Sequence, residues 1–67
     1  MKITLNNREE QIDKEVMTVQ ELIDYKNFSF KLLVTKVNGK LVKKDQRDRA
    51  IIRDGDKVTV LHLVSGG

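Results

Sequence analysis

The sequence predicts an α+β fold, one mixed sheet with a single main helix packed on one face. Three observations predict it. Apolar and polar residues alternate with period two at both ends of the chain, in Lys2 to Leu5 and Lys57 to Val64. Thr18-Val19-Gln20-Glu21 is a helix-start signature, and Asn38-Gly39 is a two-residue hairpin signal.

Taken in order, Ile3 and Leu5 alternate with Lys2, Thr4 and Asn6, which is the pattern of a half-buried strand, and Asn6-Asn7 tolerates turn geometry. Glu9 to Val16 is more polar, with apolar side chains only at Ile12 and Val16. It is expected to be a second strand, antiparallel to the first, whose charges protect a sheet edge. In the capping box, the Thr18 hydroxyl accepts from the Glu21 amide while the Glu21 carboxylate accepts from the Thr18 amide. Met17 and Leu22 suit the accompanying hydrophobic staple, and Val19, Leu22 and Ile23 form one apolar stripe. This helix is short and is expected to end near Lys26-Asn27. Phe28 and Phe30 follow at strand-like spacing and, with Tyr25, are expected in the core or at its margin.

Leu32 to Val37 reads as a strand, and both residues of Asn38-Gly39 accept positive φ, so Leu41-Val42 begins the return strand. Lys43 to Arg49 has no period, and Asp45 is expected to cap a single helical turn before Ala50-Ile51-Ile52 returns to the core. Arg53-Asp54-Gly55-Asp56 reads as a tight turn, and Lys57 to Val64 as the final strand. Hairpin, helix, hairpin-like segment, turn and final strand together give a β-grasp-like layout.

Composition narrows the chemistry. The chain has 67 residues, 39% of them apolar, with no cysteine and no proline. That length suits one domain, with too little apolar material to build a deep catalytic pocket beside a core. Without cysteine there is no disulfide, thiolate zinc site or cysteine nucleophile, which suits a reducing cytoplasm. No apolar run approaches the ~20 residues that span a bilayer, and the alternating N-terminus lacks a signal-peptide h-region, so a cytoplasmic location is expected.

Formal charge is +3, distributed unevenly. Residues 1–30 hold four basic and six acidic side chains, whereas residues 31–67 hold nine basic and four acidic. Such asymmetry marks either a solvated surface or a docking face for an acidic partner or nucleic acid.

His62 is the sole histidine and Ser29 and Ser65 the sole serines, so the parts of a nucleophilic triad are missing. No carboxylate cluster has calcium-loop or zinc-ligand spacing, and Gly39 and Gly55 are isolated in turns rather than forming a phosphate loop. One feature remains, the terminal Gly66-Gly67 directly after an apolar strand. A Gly-Gly stem carrying the α-carboxylate enters a tunnel too narrow for any Cβ. Val64 to Gly67 reach at most roughly 13 Å at ~3.3 Å per residue, enough to thread into a neighbouring enzyme's active site. Residues 65–67 are accordingly expected to be a flexible tail on a domain spanning residues 1–67.

The run Val37-Asn38-Gly39-Lys40-Leu41-Val42, the turn Asp54-Gly55-Asp56, the strand that follows and the Val64-Ser65-Gly66-Gly67 terminus resemble the ThiS group of sulfur-carrier proteins, which are ubiquitin-like β-grasp domains. The resemblance covers the whole chain in length and element order. It implies a carrier, not an enzyme, whose Gly67 carboxylate is adenylated with ATP by an E1-like, ThiF-like adenylyltransferase. The acyl-adenylate then becomes a thiocarboxylate with sulfur passed from a cysteine desulfurase, and a ThiG-like thiazole synthase takes that sulfur into the thiazole ring of thiamine. Ser65, Gly66 and Gly67 would thread into the partner site. No cofactor or metal bound by the carrier itself is implied, and neither a nucleic acid nor a membrane partner.

Two other carrier readings share this terminus: the MoaD group, which delivers sulfur for molybdopterin, and carriers for other sulfur metabolites. The absence of proline favours the thiamine branch. The rival from another class is a small RNA-binding module using Lys40, Lys43, Lys44, Arg47, Arg49 and Arg53, which leaves Gly66-Gly67 unexplained and lacks an exposed aromatic platform.

The phase of the final strand locates a docking face. Val58 and Val60 are assigned inward, as similar ubiquitin-like folds place them, and Leu61 and Leu63 outward. The two leucines would form an exposed apolar patch beside the tail that docks the partner enzymes, with nearby Lys and Arg side chains steering the approach.

Overall fold

Two asparagine-containing turns set the frame of the sheet. The computed structural model describes residues 1–28 and 32–63. Strand β1 (Lys2–Leu5) turns through Asn6-Asn7 into β2 (Arg8–Gln11), pairing antiparallel with Leu5 opposite Arg8. Strand β4 (Leu33–Val37) turns through Asn38-Gly39 into β5 (Lys40–Val42), with Val37 opposite Lys40. Both residues of each turn have positive φ, from 51° at Asn6 and Asn38 to 82° at Gly39, the conformation that matches the twist of a tight hairpin.

The final strand, β7 (Lys57–His62), lies between the two hairpins, parallel to β1 and antiparallel to β4, in a five-stranded sheet of order β2-β1-β7-β4-β5. The expected mixed sheet is therefore present. The alternating run ends as a strand at His62 rather than Val64, which lies outside the described residues, and β4 begins at Leu33 rather than Leu32.

The second expected strand divides. Chain 9–16 is not one edge strand, because pairing with β1 stops at Gln11 and Ile12 turns into the core. The Met1 ammonium holds this departure, donating to the carbonyls of Ile12 at 2.6 Å and Lys14 at 2.7 Å. The chain then forms β3 (Val16–Thr18), which pairs antiparallel with β6 (Ile51–Arg53) in a separate two-stranded sheet.

Helix α1 (Val19–Tyr25) starts at the expected capping box: Glu21 N donates to Thr18 Oγ1 at 3.0 Å, and Thr18 N donates to Glu21 Oε1 at 2.9 Å. Its end is a Schellman motif with Asn27 at φ 56°; Phe28 N donates to the Ile23 carbonyl and Asn27 N to that of Asp24. The staple residues Met17 and Leu22 are both buried. Val19, Leu22 and Ile23 share one core with Ile3, Leu5, Val42, Val58 and Val60 of the sheet and Met17 and Ile52 of the small sheet. The helix thus covers one sheet face and leaves the other open.

Three further expectations are corrected. Asp45 caps nothing; it lies inside a 3₁₀ turn (Lys44–Gln46) whose first amide, Lys43 N, is satisfied by Gln46 Oε1 at 3.2 Å. Of Ala50-Ile51-Ile52 only Ile52 is fully buried, because alternation along β6 turns Ile51 outward. Tyr25 is exposed at the helix end, away from the Val19-Leu22-Ile23 stripe, whereas Phe28 packs on the core margin. Phe30 lies outside the described residues.

Candidate functional site

The far end of β7, from which the chain proceeds toward Gly67, is held by its neighbours. Asn6 reaches its middle: Val60 N donates to Asn6 Oδ1 at 2.8 Å, and Asn6 Nδ2 donates to the Val60 carbonyl at 3.1 Å. At its start, Lys57 N donates to Asn38 Oδ1 at 2.8 Å and Asn38 N to the Lys57 carbonyl at 2.7 Å. Pairing with β4 continues past the end of the strand, where Leu63 N donates to the Leu32 carbonyl at 2.9 Å. The hydrogen-bonded ladder therefore continues to Leu63, four residues before Gly67.

Alternation along β7 places its side chains as the strand phase requires. Val58 and Val60 are buried at 0% and 6% exposure, while Leu61 and Leu63 are half exposed at 50% and 51%. His62 has the inward phase yet is exposed.

Register adds residues that the sequence reading did not single out. Leu61 lies directly opposite Val34, and Leu63 bonds across to Leu32, which is 50% exposed. On the next strand Leu41, opposite Lys36, is 57% exposed and lies diagonal to Val34 on the same open face. Leu32, Val34, Leu41, Leu61 and Leu63 thus form one apolar strip across three strands beside the exit of the terminus. The Asn38-Gly39 hairpin contained this signal, since a two-residue turn sets Val37 opposite Lys40 and so fixes the face of Leu41.

Arg47 supports this end of the sheet from the connector. Its Nη2 donates to the Leu33 carbonyl at 2.6 Å and its Nε to Thr35 Oγ1 at 3.3 Å, while fully buried Thr35 donates to the Val42 carbonyl at 2.7 Å. Because β5 ends at Val42, the guanidinium takes the Leu33 carbonyl that a longer strand would have paired.

Among the described residues no group of three His, Cys, Asp or Glu side chains converges as a metal would require, and no helix is long and apolar enough to cross a membrane. Ser65, Gly66 and Gly67 lie outside the described residues.

The sequence model of the ThiS family matches residues 2–67, through the terminal Gly-Gly. The chain belongs to the ThiS family. The fold agrees with that membership: a crystal structure of the thiamine biosynthesis protein ThiS from Geobacter metallireducens is similar with a TM-score of 0.89 and 26% identity, covering 100% of both chains. A solution structure of a thiamine biosynthesis protein from the same organism is similar at a TM-score of 0.81 and 26% identity, covering 100% of this chain and 88% of that one. The β-grasp architecture expected from the sequence is thus that of this ThiS-family chain.

Proposed function

We propose that this chain is a sulfur carrier of thiamine biosynthesis, a protein co-substrate that reacts through its Gly67 carboxylate. The observation that carries the reading is the family match running through Gly67 on a chain of the same architecture. A carboxylate is a poor electrophile whose oxygen leaves badly. An E1-like, ThiF-like enzyme attaches it to the α-phosphorus of ATP, releasing pyrophosphate, so that AMP becomes the leaving group. The terminal sulfur of a persulfide supplied through a cysteine desulfurase displaces AMP at the acyl carbon, and a thiol then cleaves the resulting acyl disulfide, leaving the thiocarboxylate and becoming a disulfide itself. A ThiG-like thiazole synthase then takes that sulfur into the thiazole ring. ATP is bound by the activating enzyme, and the carrier contributes a carboxylate on a stem without side chains.

The domain supplies recognition. Leu61 and Leu63 dock the activating enzyme and the acceptor, and Ser65, Gly66 and Gly67 thread into the partner's site. The cytoplasm, where these enzymes and ATP meet, is the location this reading requires. Deleting Gly67, or adding one residue after it, is the test: ATP–pyrophosphate exchange with the activating enzyme is lost while the melting temperature is unchanged. Full exchange in either variant contradicts the reading.

A further inference from the structure

A groove of about 330 Å³ opens where β5 leaves β4 for the 3₁₀ turn, floored by Leu32, Val34 and Leu41 and bordered by Lys43, Lys44 and Arg47. No carboxylate lines it, whereas two other grooves among the described residues include Asp45 and Asp24. Arg47 is engaged with Leu33 and Thr35, but the ion pairs among the described residues use none of Lys36, Lys40, Lys43 and Lys44. The charge skew of the sequence becomes spatial here. The segment from Lys36 to Arg47, running through β5 and the 3₁₀ turn, carries five basic side chains and one acidic, while Arg8 to Glu15, on and after the β2 edge, carries four acidic and two basic.

An apolar floor with a cationic border whose two lysines form no ion pair among the described residues complements an aliphatic side chain flanked by carboxylates. Apolar contact supplies most of the affinity of such a site, and the border charges select the partner and speed its approach. The groove is continuous with the outward strip through the Val34–Leu61 pair, so one partner surface covers both. We propose that this groove receives an acidic-aliphatic segment of the activating enzyme, a second contact beside Leu61 and Leu63 that fixes the rotation of the carrier; the identity of that enzyme rests on the sulfur-carrier reading.

The test is calorimetric titration of the full chain with the ThiF-like enzyme of the same organism, at low and high salt. Lys43→Glu and Lys44→Glu each raise Kd about fivefold or more at low ionic strength, an effect that salt reduces. Leu41→Ser raises it about tenfold at both salts, the loss of one buried aliphatic side chain. Arg8→Glu makes the same charge change at the opposite edge and alters Kd less than about twofold. Equal effects of Arg8→Glu and Lys43→Glu, unchanged binding by the groove variants, or no binding of the wild type overturns the groove. Adenylation of Gly67, measured on the wild type in parallel, reports on the carrier reading separately.

Discussion

The side-chain amide of Asn6 engages both backbone groups of Val60, donating to its carbonyl at 3.1 Å and accepting from its N–H at 2.8 Å. Strand β1 has ended at Leu5, so a side chain continues its parallel pairing with β7 by two more bonds. Replacing Asn6 by Gly keeps the positive φ of 51° accessible and removes those bonds, at about 2 kcal/mol. Asn7 has a φ of 66° and no comparable side-chain bond, so Asn7→Gly stays within about 0.5 kcal/mol. Thermal unfolding separates them: the Asn6 variant melts about 10 °C lower, and equal melting temperatures contradict the bracing role.

Thr35 is the second brace. Its buried hydroxyl joins the Val42 carbonyl to the Arg47 guanidinium, and Thr35→Val keeps the shape while removing both bonds. A loss of about 1–3 kcal/mol in urea unfolding is expected. Arg47→Met in the Thr35→Val background costs less than in the wild type, since one of its partners is already gone.

Acid stability has a traceable contributor at the helix start. The Thr18 amide, with the Thr18 hydroxyl and Lys14 adding to it, holds the Glu21 carboxyl below its ordinary value of 4.5. A carboxyl whose folded value is depressed stabilises the fold above its unfolded value, and that stability is lost as pH falls through the folded one. Glu21→Gln preserves the capping bond but removes the titration, so its stability falls less steeply below about pH 4.5 than that of the wild type. Superimposable acid limbs in the two proteins contradict the assignment.

Local chemistry explains which parts were legible in the sequence. The Thr18–Glu21 cap, the Asn38-Gly39 turn and the phase of β7 are short-range signals, and each appears where the residues put it. The pairing of β3 with β6 joins segments over thirty residues apart, and neither has a two-residue turn or long alternation to announce it. Asp45 misled because a cap is usually a short polar side chain, whereas here Gln46 reaches back to the amide of Lys43. Of the site, Leu61 and Leu63 followed from one strand, but Leu32, Val34 and Leu41 join them only through the register of three.

The two faces of β7 predict opposite outcomes for adjacent residues. Leu61→Glu, half exposed, keeps a near-normal melting temperature and no longer accepts AMP from the activating enzyme. Val60→Glu places a carboxylate in the core and unfolds the domain. Normal AMP transfer to folded Leu61→Glu removes this face from docking.

The most direct measurement is the mass of the intact protein after incubation with its activating enzyme, ATP and a sulfur source. The sulfur-carrier account predicts a gain equal to the difference between sulfur and oxygen, located at Gly67 by fragmentation and absent when Gly67 is deleted. An unchanged mass with competent enzymes, or the same gain in the protein lacking Gly67, would contradict it.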